Sequence, residues 1–341
     1  MSEKVPNSAF VTVGESAKTM AAVEAGTAPG AEYAMLRRGH FSEVLAMVDR
    51  GANPGSTAET AQFAASAYWA TRKRDNVYLG EEFPGIQYLA VHALLRSAKR
   101  VAMLIHNTRS LRRRLPLVTL GLRHAMHHVL CLSRQSKVEL ETTYGIPASR
   151  ITVVGSRVDT TFFAPDPGVA TKVQVCSAGA VNRDYRTLIE AAAPLGIPVK
   201  IAADTAWRYS TGEQTAEPVP DFVEMRSWGS YVSLRKLYAE SAIVVVPLEK
   251  PILSGVTVVL EAMAMGKPVI LTHNGYVEDF LVDGENGLFV PSGDSASLEK
   301  KIRHLLDHPA EAERMGQRAR EWVLERFTVD RYVDKIIGVW N

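Results

Sequence analysis

Cysteine is nearly absent: Cys131 and Cys176 are the only two in 341 residues. Two thiols cannot build a disulfide framework, and they show no metal-ligand spacing. Both read as buried core thiols of a protein kept in a reducing cytoplasm. Long apolar runs are missing as well. The strongest, AIVVVPL at 242–248, falls far short of the roughly 20 residues that span a bilayer. The first ten residues, MSEKVPNSAF, hold no apolar signal core. The chain therefore reads as soluble and cytoplasmic. An excess of one charge is missing too, since the net charge is only +2; this excludes a chain that is basic all over. With 46% hydrophobic and 22% charged residues the composition is that of a globular protein, not a disordered or fibrous one. At 341 residues, two domains are expected.

The small net charge conceals an uneven distribution. Residues 1–160 carry 20 Lys and Arg against 13 Asp and Glu, and residues 161–341 carry 19 against 24. Within 96–157 the 12 basic residues face only Glu139 and Glu141. Either an anionic partner meets the first half or this is a solvated basic surface. No nucleic-acid recognition motif accompanies it, so nucleic acid is not expected as a partner.

Short β-branched runs alternate with helical patterns, which predicts parallel sheets with covering helices. Strands are expected at 9–13, 76–79, 100–105, 128–132 and 151–154, and then at 173–177, 199–203, 243–247, 269–272 and 287–290. Helices fall at 85–97, 133–144, 185–193, 233–239, 257–265, 295–306 and 309–326. The polar stretch TAWRYSTGEQTAEPVP at 205–220 breaks the even rhythm that a barrel would need. The join lies in GSRVDTTFFAPDPG at 155–168, where Pro165 and Pro167 stop regular structure. The expected organisation is a domain at 1–160, a second at 161–328, and a final helix at 329–341 that crosses back to pack on the first.

The richest segment is PILSGVTVVLEAMAMGKP at 251–268. A strand runs through Ser254 and Gly255 into a helix that contains Glu261. Gly255 lets the backbone approach a ligand. The amides of Val256, Thr257 and Val258 at the helix start would favour a phosphate. Glu261 sits one turn deeper, where a carboxylate can accept hydrogen bonds from ribose hydroxyls. A buried strand–turn–helix with a capping carboxylate fits the same spacing.

Several segments, in order, resemble the retaining family 4 glycosyltransferases. They are GSRVDTTFFAPDP, VCSAGAVNRDYRTLIEAA, WGSYVSLRKLYAESAIVVVPL and LEAMAMGKPVILTHNGYVEDFLVDGENGLFVPSGDSASL. The resemblance covers roughly residues 100–330. It implies an α/β chain of the GT-B type, two Rossmann-like doubly wound domains facing each other across a cleft. It places Glu261 on the donor ribose and sets Gly229, Tyr231 and Val232 in the loop that holds the base. The family's earlier glutamate on the donor sugar is replaced by Leu253, so either Ser254 or backbone amides substitute, or the donor sugar lacks the usual hydroxyl pattern. Arg183 matches a basic residue on the donor diphosphate; the other reading is a surface arginine paired with Asp184. His106, ending the strand LIHN, matches a histidine that faces the donor sugar. Gly14, after the first strand, matches a glycine turn that meets the diphosphate or acceptor. The resemblance thus gives His106 and Arg183 catalytic roles.

Arg109, Arg112 and Arg113, with Arg114 and Arg123 and interleaved leucines, make a basic amphipathic face. It would dock on an anionic membrane, bind an anionic acceptor, or simply be solvated. Asp75, Glu81 and Glu82 could face the cleft, but the preferred reading is solvated loop charge. No metal site is expected, because His124, His127 and His128 lack a matching ligand set. The expected function is transfer of a sugar, with retention, from a nucleotide-diphosphate donor to a hydroxyl of a small molecule, glycan or lipid, with no resident cofactor. The alternatives are a pseudoenzyme that binds a nucleotide sugar without transfer and a nucleotide-sugar epimerase.

Overall fold

The computed structural model describes residues 7–12, 17–30, 41, 43–46, 56–203 and 219–340. The chain forms two units, one of Met1–Ala25, Gly30–Gly155 and Val329–Asn341, the other of Gly26–Pro29 and Ser156–Thr328.

In the first unit β1 (Ser8–Thr12), β2 (Glu43–Ala46), β3 (Asn76–Leu79), β4 (Arg100–Ile105), β5 (His128–Cys131) and β6 (Ile151–Val153) form one sheet. The order is β2-β1-β3-β4-β5-β6 and each pairing is parallel. The helices are α1 (Ala17–Glu24), α2 (Thr57–Ala70), α3 (Glu82–Leu94), α4 (Leu111–Val118) and α5 (Arg134–Thr142). Side chains of a strand point alternately to its two faces, and here both faces are covered. Val77, Leu79, Val101, Met103, Ile105, Val129 and Cys131 pack with Tyr88, Leu117 and Leu140 on one side. Tyr78, Ala102, Leu104 and Leu130 face the other.

The second unit repeats the plan. Strands β7 (Lys172–Ala178), β8 (Val199–Ala202), β9 (Val223–Arg226), β10 (Ser241–Val246), β11 (Val269–Thr272) and β12 (Leu288–Val290) take the order β12-β11-β10-β7-β8-β9, again all parallel. Its helices are α6 (Tyr185–Ala192), α7 (Tyr231–Glu240), α8 (Val256–Ala264), α9 (Ser295–Asp307) and α10 (Pro309–Arg326). Strand order reverses between β7 and β10, so the carboxyl ends of these two strands flank the position where doubly wound sheets bind ligands. Cys176, Val244 and Val246 pack towards α8, while Val175, Ile243 and Val245 pack towards α6 and α9. Both cysteines are free and buried, in keeping with their reading as core thiols. After Thr328 the chain returns to the first unit as α11 (Val329–Ile337). There Val329, Tyr332, Val333 and Ile336 cover Phe10, Tyr78 and Leu104.

Two strands were not expected, β2 and β9. Each is a four-residue edge strand. In β9 the apolar signal is weak, because Glu224 and Arg226 alternate with Val223 and Met225, and Glu224 pairs both with Arg226 and with Lys200 on β8. Charge of this kind is common on sheet edges. Helix α3 opens at Glu82, ahead of the expected residue 85. Pro84 forces the preceding residue out of the helical region, so Phe83 sits at φ −112° and ψ 116° and splits a first turn from the regular helix.

Candidate functional site

In the second unit the candidate site is built by the two loops that leave β7 and β10. Gly255 is the N-cap of α8 at φ +79°, and a Cβ there would lie 2.7 Å from Val246 Cγ1. The position therefore demands glycine twice over, for its left-handed backbone and for lack of room. No side chain caps the start of α8. The amides of Val256, Thr257 and Val258 thus open the helix with the positive end of its dipole and no built-in acceptor.

Glu261 lies inside α8, 5% exposed, and its Oε2 accepts a hydrogen bond from the Tyr238 hydroxyl at 2.9 Å. Burial pushes its carboxyl up to about 7, against the opposing pull of that bond. Burial likewise raises the Tyr238 phenol well above its ordinary value. Tyr238, on α7, escapes sequence reasoning: nothing in its spacing shows that it reaches Glu261 across two helices.

Arg183 is 5% exposed. Its Nε donates to the Ala178 carbonyl at 2.8 Å, and its Nη1 donates to the Val181 carbonyl at 2.7 Å and to Ser254 Oγ at 3.2 Å. Ser254 Oγ donates in turn to the Val181 carbonyl at 3.1 Å. The guanidinium thus braces the β7 turn against the loop before α8. Burial lowers its pKa below the usual arginine value. The reading of Arg183 as a surface arginine paired with Asp184 is overturned, since Asp184 caps α6 through the amide and hydroxyl of Thr187. The same bonds fill Nε and Nη1, which a fork-like grip on a diphosphate would need. Gly179, at φ +96°, leaves the space that the guanidinium occupies, with Nη2 2.5 Å from where a Cβ would be.

Leu253 is partly buried against the apolar cluster below α8. Gly229, at φ +71°, precedes α7, and Tyr231 and Val232 are exposed on its first turn. Gly14 lies outside the described residues.

In the first unit His106 follows β4. Its backbone amide donates to Glu82 Oε1 at 2.8 Å, the Asn107 amide donates to the same oxygen at 3.0 Å, and its Nδ1 lies 3.2 Å from Glu82 Oε2. Glu82 is 2% exposed, so the reading of this residue as solvated loop charge is corrected. Burying a carboxylate is costly unless its oxygens are paired, and here both are. Burial alone would raise its pKa. The hydrogen bond and charge of His106, the Arg113 guanidinium and the Asn107 amide outweigh that and hold it below the ordinary carboxylate value.

Arg113 Nε is 3.6 Å from Glu82 Oε1 and the side chain is mostly covered. Its place on an open basic face is therefore also corrected. Arg109 reaches Glu139 at 3.9 Å, whereas Arg112 is exposed, as are Leu111, Leu115 and Leu120. Donor atoms of Glu81, Glu82 and His106 lie within 4.8 Å of one another and could surround a cation. Two backbone amides and Arg113 already serve the Glu82 carboxylate in that cluster.

Residues 212–322 match the family described as glycosyl transferases group 1. Among curated relatives, a putative glycosyltransferase EpsD of Bacillus subtilis is 35% identical over 83 residues, 24% of this chain and 22% of that protein. An MMP alpha-(1->4)-mannosyltransferase of Mycolicibacterium hassiacum is 24% identical over 222 residues, 62% of this chain and 53% of that one. The chain thus spans about half, or less, of the curated relatives it matches. Among solved structures, a glycosyltransferase from Rickettsia africae superposes with a TM-score of 0.71 at 15% identity, covering 98% of this chain and 97% of that one. Anabaena Alr3699/HepE in complex with UDP-glucose gives 0.71 at 16%, covering 97% and 98%. The fold is that of the GT-B glycosyltransferases, and residues 212–322 are similar to the group 1 glycosyl transferases.

Proposed function

We propose that this protein is a retaining glycosyltransferase that moves a sugar from a nucleoside-diphosphate donor to a hydroxyl acceptor and needs no resident cofactor. One observation carries the reading. An uncapped helix start behind Gly255, with the buried carboxylate of Glu261 in the same helix, stands at the strand-order reversal of the second sheet. Anionic oxygens suit the amides of Val256, Thr257 and Val258, and ribose hydroxyls suit the Glu261 carboxylate. The UDP-glucose bound to Alr3699/HepE supports a nucleotide sugar as the donor class. Gly229, Tyr231 and Val232 would hold the base, and His106 would face the sugar.

In the proposed transfer the acceptor oxygen forms a bond to the anomeric carbon on the face that the leaving group departs. The bond from that carbon to the diphosphate breaks, and the acceptor proton passes to the departing phosphate oxygen. Catalysis then rests on positioning and on stabilising the diphosphate charge. Arg183 contributes by holding the two loops in place. Exposed Leu111, Leu115 and Leu120 beside Arg112 support peripheral contact with an anionic membrane surface, which would bring a lipid acceptor within reach. No helix among the described residues is long and apolar enough to cross a membrane.

The test is a thermal-shift and donor-hydrolysis screen against UDP-, GDP-, ADP- and dTDP-sugars, with Glu261→Ala beside the wild type. One nucleotide class should stabilise the wild type, with slow donor hydrolysis, and the variant should lose both. Stabilisation without turnover on any acceptor would instead identify a nucleotide-sugar-binding protein. Absence of any response would overturn the reading.

A further inference from the structure

We propose that Glu82 is a positioning residue for His106, fixing both the direction of its ring and the nitrogen that carries the proton. The inference rests on the reading that His106 faces the donor sugar. Sequence order separates the two residues by 24 positions, and they meet because β3 and β4 are neighbours, with α3 and the His106 loop both starting at their carboxyl ends.

The Glu82 carboxylate makes three contacts with one short segment. Oε1 accepts from the amides of His106 and Asn107, and Oε2 faces His106 Nδ1. An ionised carboxylate can only accept hydrogen bonds, so the partner nitrogen must carry the hydrogen. In the neutral ring that places the proton on Nδ1 and leaves Nε2 with a lone pair, able to accept from a sugar hydroxyl. The His106 ring, Arg113 at 3.6 Å and the Asn107 amide keep Glu82 ionised despite its burial. The far side of the same loop is tied down independently. Thr108 donates its hydroxyl to Glu139, the Thr108 carbonyl accepts from the Tyr144 hydroxyl at 2.7 Å, and the Arg109 amide donates to Asn107 Oδ1 at 3.0 Å. A loop held from both sides presents its histidine in one orientation, as a carboxylate behind a catalytic imidazole does elsewhere. A carboxylate that merely capped two amides would have no need of its second oxygen on the ring.

Glu82→Gln separates these roles. Its side-chain oxygen can keep the two backbone amides, and its NH2 then faces Nδ1 and can only donate to it. The full chain, labelled with 15N-histidine, is read by long-range 1H–15N spectra at about pH 8, with His106 assigned from the signals that His106→Gln removes. In the wild type Nδ1 should be protonated and Nε2 bare, and in Glu82→Gln the pattern should reverse. A wild type with the proton on Nε2, or a variant that keeps the wild-type pattern, overturns the proposal. The first outcome is decisive even if the variant fails to fold. On the donor selected by the screen above, hydrolysis by Glu82→Gln should lose about tenfold or more in kcat, with KM within about twofold. Full turnover in Glu82→Gln, where His106→Gln has lost it, also refutes the role of Glu82. Full turnover in His106→Gln instead refutes the placement of His106 at the sugar and leaves the tautomer result to judge Glu82.

Discussion

Glu261 shows how a buried carboxylate can cost stability. Its folded pKa of about 7 stands above the unfolded value near 4.5 because the site withholds water from the carboxylate. Between those values the folded chain holds a proton that the unfolded chain has already released. Stability from this group therefore falls as pH rises through that window, and above about pH 7 the loss is complete. The shift corresponds to about 3 kcal/mol. Glu261→Gln removes the titration and keeps the shape. Urea unfolding of both forms should show the variant more stable at about pH 8, by up to that amount, and nearly equal at about pH 4.5. The same variant should bind the donor nucleotide more weakly. A variant that is less stable at both pH values would mean that the Glu261 carboxylate is stabilised in the empty site.

At the scale of an element, the start of α8 is decided by one residue. Gly255→Ala would force a left-handed backbone on a residue with a Cβ and press that Cβ against Val246. A loss of about 2 kcal/mol or more is expected, seen as a fall in melting temperature of roughly 4–8 °C. Nucleotide stabilisation should fall further than stability does, because the amides of Val256, Thr257 and Val258 would turn with the helix start. An unchanged nucleotide shift would separate that helix from the donor site. This turn was readable in the sequence, since Gly255 stands between an apolar run and a helical pattern. The brace across it was not. Arg183 meets Ser254 over 71 positions of chain, and a sequence shows only that an arginine follows β7. Helix α4 is similar: its pattern displays four arginines on and before it, but only packing decides that Arg113 turns to Glu82 while Arg112 stays in solvent.

For the molecule as a whole, the return of the chain is the feature that couples distant sequence. Helix α11 lays Tyr332, Val333, Ile336 and, just beyond it, Trp340 over Phe10, Tyr78 and Leu104, and Arg100 donates to the Trp340 carbonyl at 3.3 Å. Removing residues 329–341 should uncover these side chains, at about 25 cal/mol per Å² of apolar surface. Hydrogen exchange should then rise in β1, β3 and β4 with little change in β7, β10 and α8; equal protection would mean that α11 contributes nothing to the first sheet. The amino-acid order by itself determined the alternation of strands and helices, because burial on both faces of a parallel sheet requires apolar runs at strand length. It determined the glycine turn before α8 and the presence of Glu261 within that helix, because these are local in the chain. Only the tertiary structure decided that β2 and β9 join the sheets as edges, since four residues are a short signal and in β9 half of them are charged. It also decided that Glu82 is buried on His106, that Tyr238 meets Glu261, and that Arg183 serves its own loops. Each of these depends on which strands lie side by side, and hydrogen bonds between residues distant in the chain leave no period in the sequence.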